Sequence, residues 1–157
     1  MIIKREDIKR IVSSIREEGK KVVFTNGCFD LIHPGHITLL REAKKKGVLI
    51  VGINTDESIR KIKEEQRPIV PLKARMEVLD SIKYVDYIIP FSEETPIEII
   101  KMIVPDIIVK GGDWKENEIV GAELVKKRGG EVVRIRYKNA YSTSEIINTI
   151  KRRYCEL

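Results

Sequence analysis

Two rhythms of apolar and polar positions alternate along this chain. Ile8, Ile11, Val12 and Ile15 recur at helical spacing, which predicts a helix over Arg5–Glu18 closed by Gly19. KVVFTN, at Lys21–Asn26, is a short β-branched run of strand type. A loop over Gly27–Gly35 leads to HITLLREAKKK, His36–Lys46, an amphipathic helix stopped by Gly47, and Val48–Asn54 is a second strand. The alternation then continues. A helix over Asp56–Glu65, capped by Thr55 or Asp56, precedes a loop over Gln66–Pro71 that two prolines hold open. Next come a helix at Leu72–Ser81, a strand at Tyr87–Pro90, a helix at Pro96–Val104 and a strand at Asp106–Lys110. A helix at Ile119–Arg128, a strand at Glu131–Arg136 and a last helix at Ser144–Tyr154 complete the pattern.

The strands are short and apolar throughout, as both faces of a covered sheet require. Strand–helix alternation of this kind predicts an α/β fold: a single-domain, doubly wound, parallel five-stranded sheet. Residues 1–18 read as a helical extension and residues 19–157 as the main domain. Ligands of such sheets bind beyond the carboxyl ends of the strands, so the loops after strands one, two, four and five carry the interest.

Composition narrows the class. Hydrophobic residues make up 42% of the chain, too many for disorder, and no apolar run approaches the roughly 18–20 residues of a membrane span. The opening MIIKREDIKR is charged where an export signal needs an apolar stretch. Cys28 and Cys155 form no CxxC or zinc spacing, so a reducing cytoplasm is expected, with Cys28 as a small buried apolar residue. The net charge of +6 fits a solvated lysine-rich surface, or one that turns part of its excess toward an anionic ligand. Aromatic residues are only 6%, with no interleaved stacking pattern, so neither a nucleic-acid nor a membrane partner is expected.

The first loop, TNGCFDLIHPGH, holds both histidines of the chain, His33 and His36, at a strand-to-helix junction. Main-chain N–H groups at a helix start favour anions, and Gly35 lets a phosphate come close to the backbone. Two imidazoles there can donate to phosphoryl oxygens and stabilise charge as phosphorus is attacked. Two other readings stay open: the histidines cap and pack, or they bind a metal with Asp30. The spacing lacks the i, i+4 pattern of helical zinc pairs, and no metal site is expected. Asn54-Thr55-Asp56-Glu57 reads as ordinary capping, with Lys61 and Lys63 following; Lys63 could swing over a ligand. Lys110-Gly111-Gly112-Asp113-Trp114 is a turn that carries the only tryptophan. Tyr141-Ser142-Thr143-Ser144-Glu145 reads as a capping box at a helix start that could also hold phosphate. GxxxxGK[ST], GxGxxG and GxSxG are all absent.

Taken in order, TNGCFDLIHPGH, NTDESIRKIK, RPIVPLKARMEVL, VKGGDW and YSTSEII resemble the HxGH nucleotidyltransferases. The branch they resemble most is the adenylyltransferase domain of the bacterial heptose pathway, which makes ADP-heptose from heptose 1-phosphate. The resemblance runs from about Gly19 to Lys151. It implies a Rossmann-like nucleotidyltransferase fold and the transfer of AMP from ATP to a sugar 1-phosphate, with release of pyrophosphate. It also implies catalytic roles for His33, His36 and Lys63. Thr25, Asn26, Gly27, Phe29, Gly35, Arg75, Gly112, Asp113, Trp114, Ser142, Thr143 and Ser144 would then bind the nucleotide. Mg2+ would arrive with the triphosphate, and a homodimer is expected. A cytidylyltransferase acting on glycerol 3-phosphate and a non-catalytic nucleotide- or RNA-binding module are the competing functions.

Overall fold

The computed structural model describes residues 1–63, 66–112, 114–136 and 141–155. Five strands form one parallel sheet: β1 (Val22–Gly27), β2 (Val48–Asn54), β3 (Tyr87–Phe91), β4 (Ile107–Gly111) and β5 (Glu131–Ile135). Their order is β3-β2-β1-β4-β5. The chain therefore winds outward from β1 to β3, then crosses to the other side of β1 for β4 and β5. β1 and β4 meet where the order reverses, which is the crevice such sheets use for ligands.

Alternation within each strand sends side chains to two separate apolar layers. Phe24, Ile50, Ile89 and Ile108 join one layer; Val23, Leu49, Val51, Ile88, Ile107 and Val109 join the other. The second layer is covered by α2 (Pro34–Lys44) and α4 (Leu72–Asp80) through Leu39, Leu40, Ala43 and Leu79. Covering the first are α1 (Ile8–Glu17), α5 (Ile97–Ile103) and α6 (Ala122–Lys127). Each fully buried Leu or Ile, such as Leu40 and Ile50, contributes about 1.5–3 kcal/mol of burial. The remaining helices, α3 (Asp56–Ile62) and α7 (Thr143–Tyr154), follow β2 and β5 in the chain.

Several boundaries differ from the sequence reading for local reasons. A 3-10 turn, Arg5–Asp7, precedes α1. The helix expected from Ile119 starts instead at Ala122, because Gly121 has φ +84, outside helical space. A Cβ on Gly121 would come within 2.8 Å of Ile100, so the position also demands glycine on steric grounds. Thr55 caps α3 by accepting from the Ser58 N–H at 3.2 Å, which decides between Thr55 and Asp56. Glu65, the expected end of that helix, lies outside the described residues.

The first eighteen residues pack against the same core as the rest. Ile8, Ile11, Val12 and Ile15 are all buried in the first layer, and α1 lies against α5. Ahead of α1, Ile2 bridges Ile88 in parallel, with the Ile3 N–H donating to the Ile88 carbonyl at 2.9 Å. The open edge of β3 is thereby partly covered.

Candidate active site

The loop between β1 and α2 is over-determined by packing. Phe29 has φ +48, a left-handed conformation rare for a bulky residue, and is buried. Its ring lies 5.2 Å from the His36 ring, and a Cβ on Gly27 would come within 3.2 Å of it. Gly27 is therefore the residue that leaves room for Phe29, and Phe29 in turn backs His36.

The two histidines cap their helix and cap each other. His33 is the N-cap of α2, and its Nδ1 accepts the Gly35 N–H at 3.2 Å. The His33 N–H donates to His36 Nδ1 at 3.3 Å, and the two rings are 3.8 Å apart. With each Nδ1 serving as an acceptor, each imidazole carries its proton on Nε2 and presents an N–H donor there. Burial pushes His36 down to about 4, with His33 nearby adding to the effect, and burial lowers His33 as well. At neutral pH both rings are uncharged donors. Both histidines therefore cap, and the capping bonds fix the tautomer that leaves an Nε2–H free to donate.

Asp30 fastens this loop to a distant one. Its carboxylate accepts the N–H groups of Ile69 and Val70 at 2.9 and 2.8 Å and pairs with Arg67 Nε at 2.6 Å. Burial works against its charge, but the two N–H groups and the guanidinium outweigh it, and the carboxyl is held below its usual value. Arg75 sits deeper and is almost wholly buried. It donates to the carbonyls of Val70, Cys28 and Asn54 and pairs with Asp56 at 2.6 Å. It ties together the ends of β1 and β2, the start of α3 and the 66–71 loop. These four contacts occupy the guanidinium inside the protein.

A cavity of about 480 Å³ opens at this edge. Its walls bring His36 of α2 together with Lys63 after α3, Arg67, and Thr143 and Ser144 at the start of α7. Cys28, Phe29 and Asp30 form the side toward β1. Ile147, Asn148 and Lys151 continue the α7 face at i, i+4 spacing. Ser142 caps α7 by accepting the Glu145 N–H at 3.1 Å. The reciprocal half of the expected capping box is not made, because the Glu145 carboxylate turns toward Arg152 at 3.7 Å. The first N–H groups of α7 favour an anion in this cavity.

The expected site residues thus divide. His36, Phe29, Lys63, Thr143 and Ser144 line the cavity. His33, Gly35 and Ser142 lie beside it as caps. Lys61 pairs instead with Glu57 at 3.2 Å. Thr25 is fully buried in β1, and its hydroxyl has no partner among the described residues. Asn26 accepts from Lys110 at the crevice, and Gly112 closes β4 onto β5 by donating to Ile135 at 3.1 Å. Trp114 is half exposed beside Lys110, at 5.9 Å. Asp113 lies outside the described residues. Sequence reasoning missed Arg67, Asn148 and Lys151; only the spacing of Asn148 and Lys151 from Ser144 along a helix could have found the last two.

Among the described residues no group of three His, Cys, Asp or Glu could hold a metal ion. Asp30, the carboxylate on the cavity wall, is already fully engaged. The donor set fits phosphate rather than a protein-held cation. No helix is long and apolar enough to cross a membrane among the described residues.

A family model described as cytidylyltransferase-like matches residues 24–149. The bifunctional protein HldE of Actinobacillus pleuropneumoniae serotype 5b is 46% identical over 151 residues, which is 96% of this chain and 32% of that protein. HldE of Hydrogenovibrio crunogenus is 45% identical over 147 residues, 93% of this chain and 31% of that protein. The chain spans about a third of the length of the curated relatives it matches. Among solved structures, the lipopolysaccharide core biosynthesis protein from Thermoplasma volcanium aligns with a TM-score of 0.61 and 32% identity, over 79% of this chain and 100% of that one. Pantothenate synthetase from Thermus thermophilus aligns with a TM-score of 0.62 over 96% of this chain and 70% of that one. At 14% identity that second likeness speaks to the fold alone.

Proposed function

The chain belongs to the cytidylyltransferase-like family, and from that premise we propose that it transfers AMP from ATP to heptose 1-phosphate, giving ADP-heptose and pyrophosphate. The observation that carries this reading is the cavity in which His36, Lys63 and the start of α7 face one another. The 46% identity to HldE supports the choice of branch.

In this reading the triphosphate lies between the histidines and α7. A phosphate oxygen of the acceptor attacks the α-phosphorus in line. The new P–O bond forms as the bond to the bridging oxygen breaks, and pyrophosphate leaves with that electron pair. No protein nucleophile is needed. The Nε2–H groups of His36 and His33 donate to the α-phosphoryl oxygens, where charge develops, and this is where preorganised donors do most. Lys63, Thr143, Ser144 and the α7 N–H groups hold the β- and γ-phosphates, with Ser142 fixing the helix start. Asn26, Gly27, Gly112, Asp113 and Trp114 are assigned to the nucleoside side. Thr25, Gly35 and Arg75 shape the floor and the backbone approach. Magnesium accompanies the nucleotide as part of the substrate and offsets phosphate charge. The chain acts in the cytoplasm as a homodimer.

The test is a pyrophosphate-release screen of ATP and CTP against heptose 1-phosphate and glycerol 3-phosphate. Turnover confined to ATP with heptose 1-phosphate supports the reading. Turnover with CTP and glycerol 3-phosphate replaces it with an alcohol-phosphate cytidylyltransferase, and RNA binding without turnover replaces it with a binding module.

A further inference from the structure

Lys110 stands next to the end of β4, at the place where the strand order reverses. Its ammonium reaches across to β1, 2.9 Å from Asn26 Oδ1 and 3.3 Å from the Asn26 carbonyl. The half-exposed Trp114 ring lies 5.9 Å away. Two of its three N–H groups are thus used, both on neutral oxygens. Lys44, Lys45, Lys61 and Lys101 all have a carboxylate partner, whereas Lys110 has none within ion-pair distance among the described residues. Its register partner on β5, Arg134, carries the same sign and donates to the Trp114 carbonyl. From the β1 side the facing titratable group is the Cys28 thiol, itself raised by burial.

A cation in a protein-dense setting without a counter-ion is costly. Burial accordingly brings Lys110 down to about 8, with only Cys28 opposing among the described residues. Part of the residue remains open to solvent, so a ligand can reach it. Asn26, which it grips, lies two residues before Cys28 on the cavity wall. Lys110 is therefore a cation on the β4 side of the first loop, which supplies Cys28, Phe29 and Asp30 to the cavity wall.

We propose that Lys110 is an anion-binding residue of this site, whose missing counter-ion is a phosphoryl group of a bound substrate. The proposal rests on the nucleotidyl-transfer reading for the identity of its ligands. Binding completes an ion pair and draws a proton onto Lys110 wherever the free residue is partly neutral. The phosphoryl group belongs either to the triphosphate or to the acceptor's monoester, and the two are separable by experiment.

The experiment is calorimetric titration of the full chain with ATP, and separately with heptose 1-phosphate, at about pH 8.5 and about pH 6.5, in buffers of different ionisation heat. At the higher pH His33 and His36 are long deprotonated and contribute nothing. Net proton uptake is expected at the higher pH and close to none from Lys110 at the lower. The ligand that shows uptake is the one that meets Lys110. Lys110→Met should abolish the uptake and weaken that ligand by about tenfold or more. Lys110→Arg keeps a permanent charge and should bind without uptake. Should Lys110→Met fail to fold, the wild-type uptake and its loss in Lys110→Arg decide the matter. Binding of both ligands with no uptake, or uptake that persists in the variants, overturns the proposal. Turnover that proceeds without uptake strikes Lys110 alone. Proton-linked ATP binding without any nucleotidyl transfer strikes the reading of the reaction instead, and binding of neither ligand overturns both.

Discussion

The main-chain N–H of His33 donates to Nδ1 of His36, so the residue that starts the helix also fixes which nitrogen of its neighbour bears the proton. A cap worth about 1 kcal/mol to a helix here also sets the tautomer that leaves the His36 Nε2–H free to donate. Nitrogen-15 NMR should find both rings neutral at pH 7 with the proton on Nε2, and His36 titrating near 4. Finding the proton on Nδ1 of His36 would refute the capping geometry.

The same shift makes stability depend on pH. His36 is lowered from 6.5 to about 4 on folding, so between those values the unfolded chain binds more protons than the folded one. Stability is fully present above 6.5 and falls as the pH drops toward 4. Allowing for solvent screening, the loss is on the order of 2 kcal/mol. Denaturant melts of wild type and His36→Gln across this window measure it, and the variant should show a smaller slope.

Asp30→Ala should loosen the junction of the two loops. It leaves Arg67 without its partner and frees the N–H groups of Ile69 and Val70. Removing one member of a buried pair costs about 3–5 kcal/mol, so a large fall in melting temperature is expected, together with a raised KM for nucleotide. An unchanged melt would show that the 66–71 loop is held by something else.

Arg75→Ala should fail differently from any cavity-lining variant. Four acceptors inside the protein lose their donor at once, and the penalty is several kcal/mol. Activity and thermal stability should fall together. A variant with normal stability and lost turnover would restore a direct contact with phosphate.

Much of this was legible in the chain. The change of period from helix to strand marks all five strands, because a sheet covered on both faces needs apolar runs of that length. The histidine loop and the hydroxyl-rich start of α7 were visible because helix starts and glycine turns have local chemistry. What periodicity cannot carry is the meeting of side chains distant in sequence. Asp30 finds Arg67 across 37 residues, and Arg75 finds the Cys28 carbonyl across 47. The family resemblance assigns Arg75 to the nucleotide; its four internal acceptors became visible only with the fold. Gly121 misled in the opposite sense, since a glycine near a helix start looks harmless until its φ and the nearness of Ile100 are known.

Lys63→Ala tests the separation of roles along the cavity. Lys63 follows α3 and lines the cavity, while Lys61 is taken up by Glu57. Loss of Lys63 should raise the KM for ATP by about tenfold or more with little change in stability, whereas Lys61→Ala should leave kinetics near wild type. Steady-state kinetics of the two variants side by side measure this.

The proposed chemistry rests on His36 as a neutral donor to the α-phosphoryl oxygens. The most direct measurement is single-turnover pyrophosphate release from ATP and heptose 1-phosphate by wild type and His36→Ala, with melting curves recorded on the same samples. A fall of about 10²–10³-fold in the chemical step is expected, with the fold intact. Near-normal release by a folded His36→Ala would contradict it.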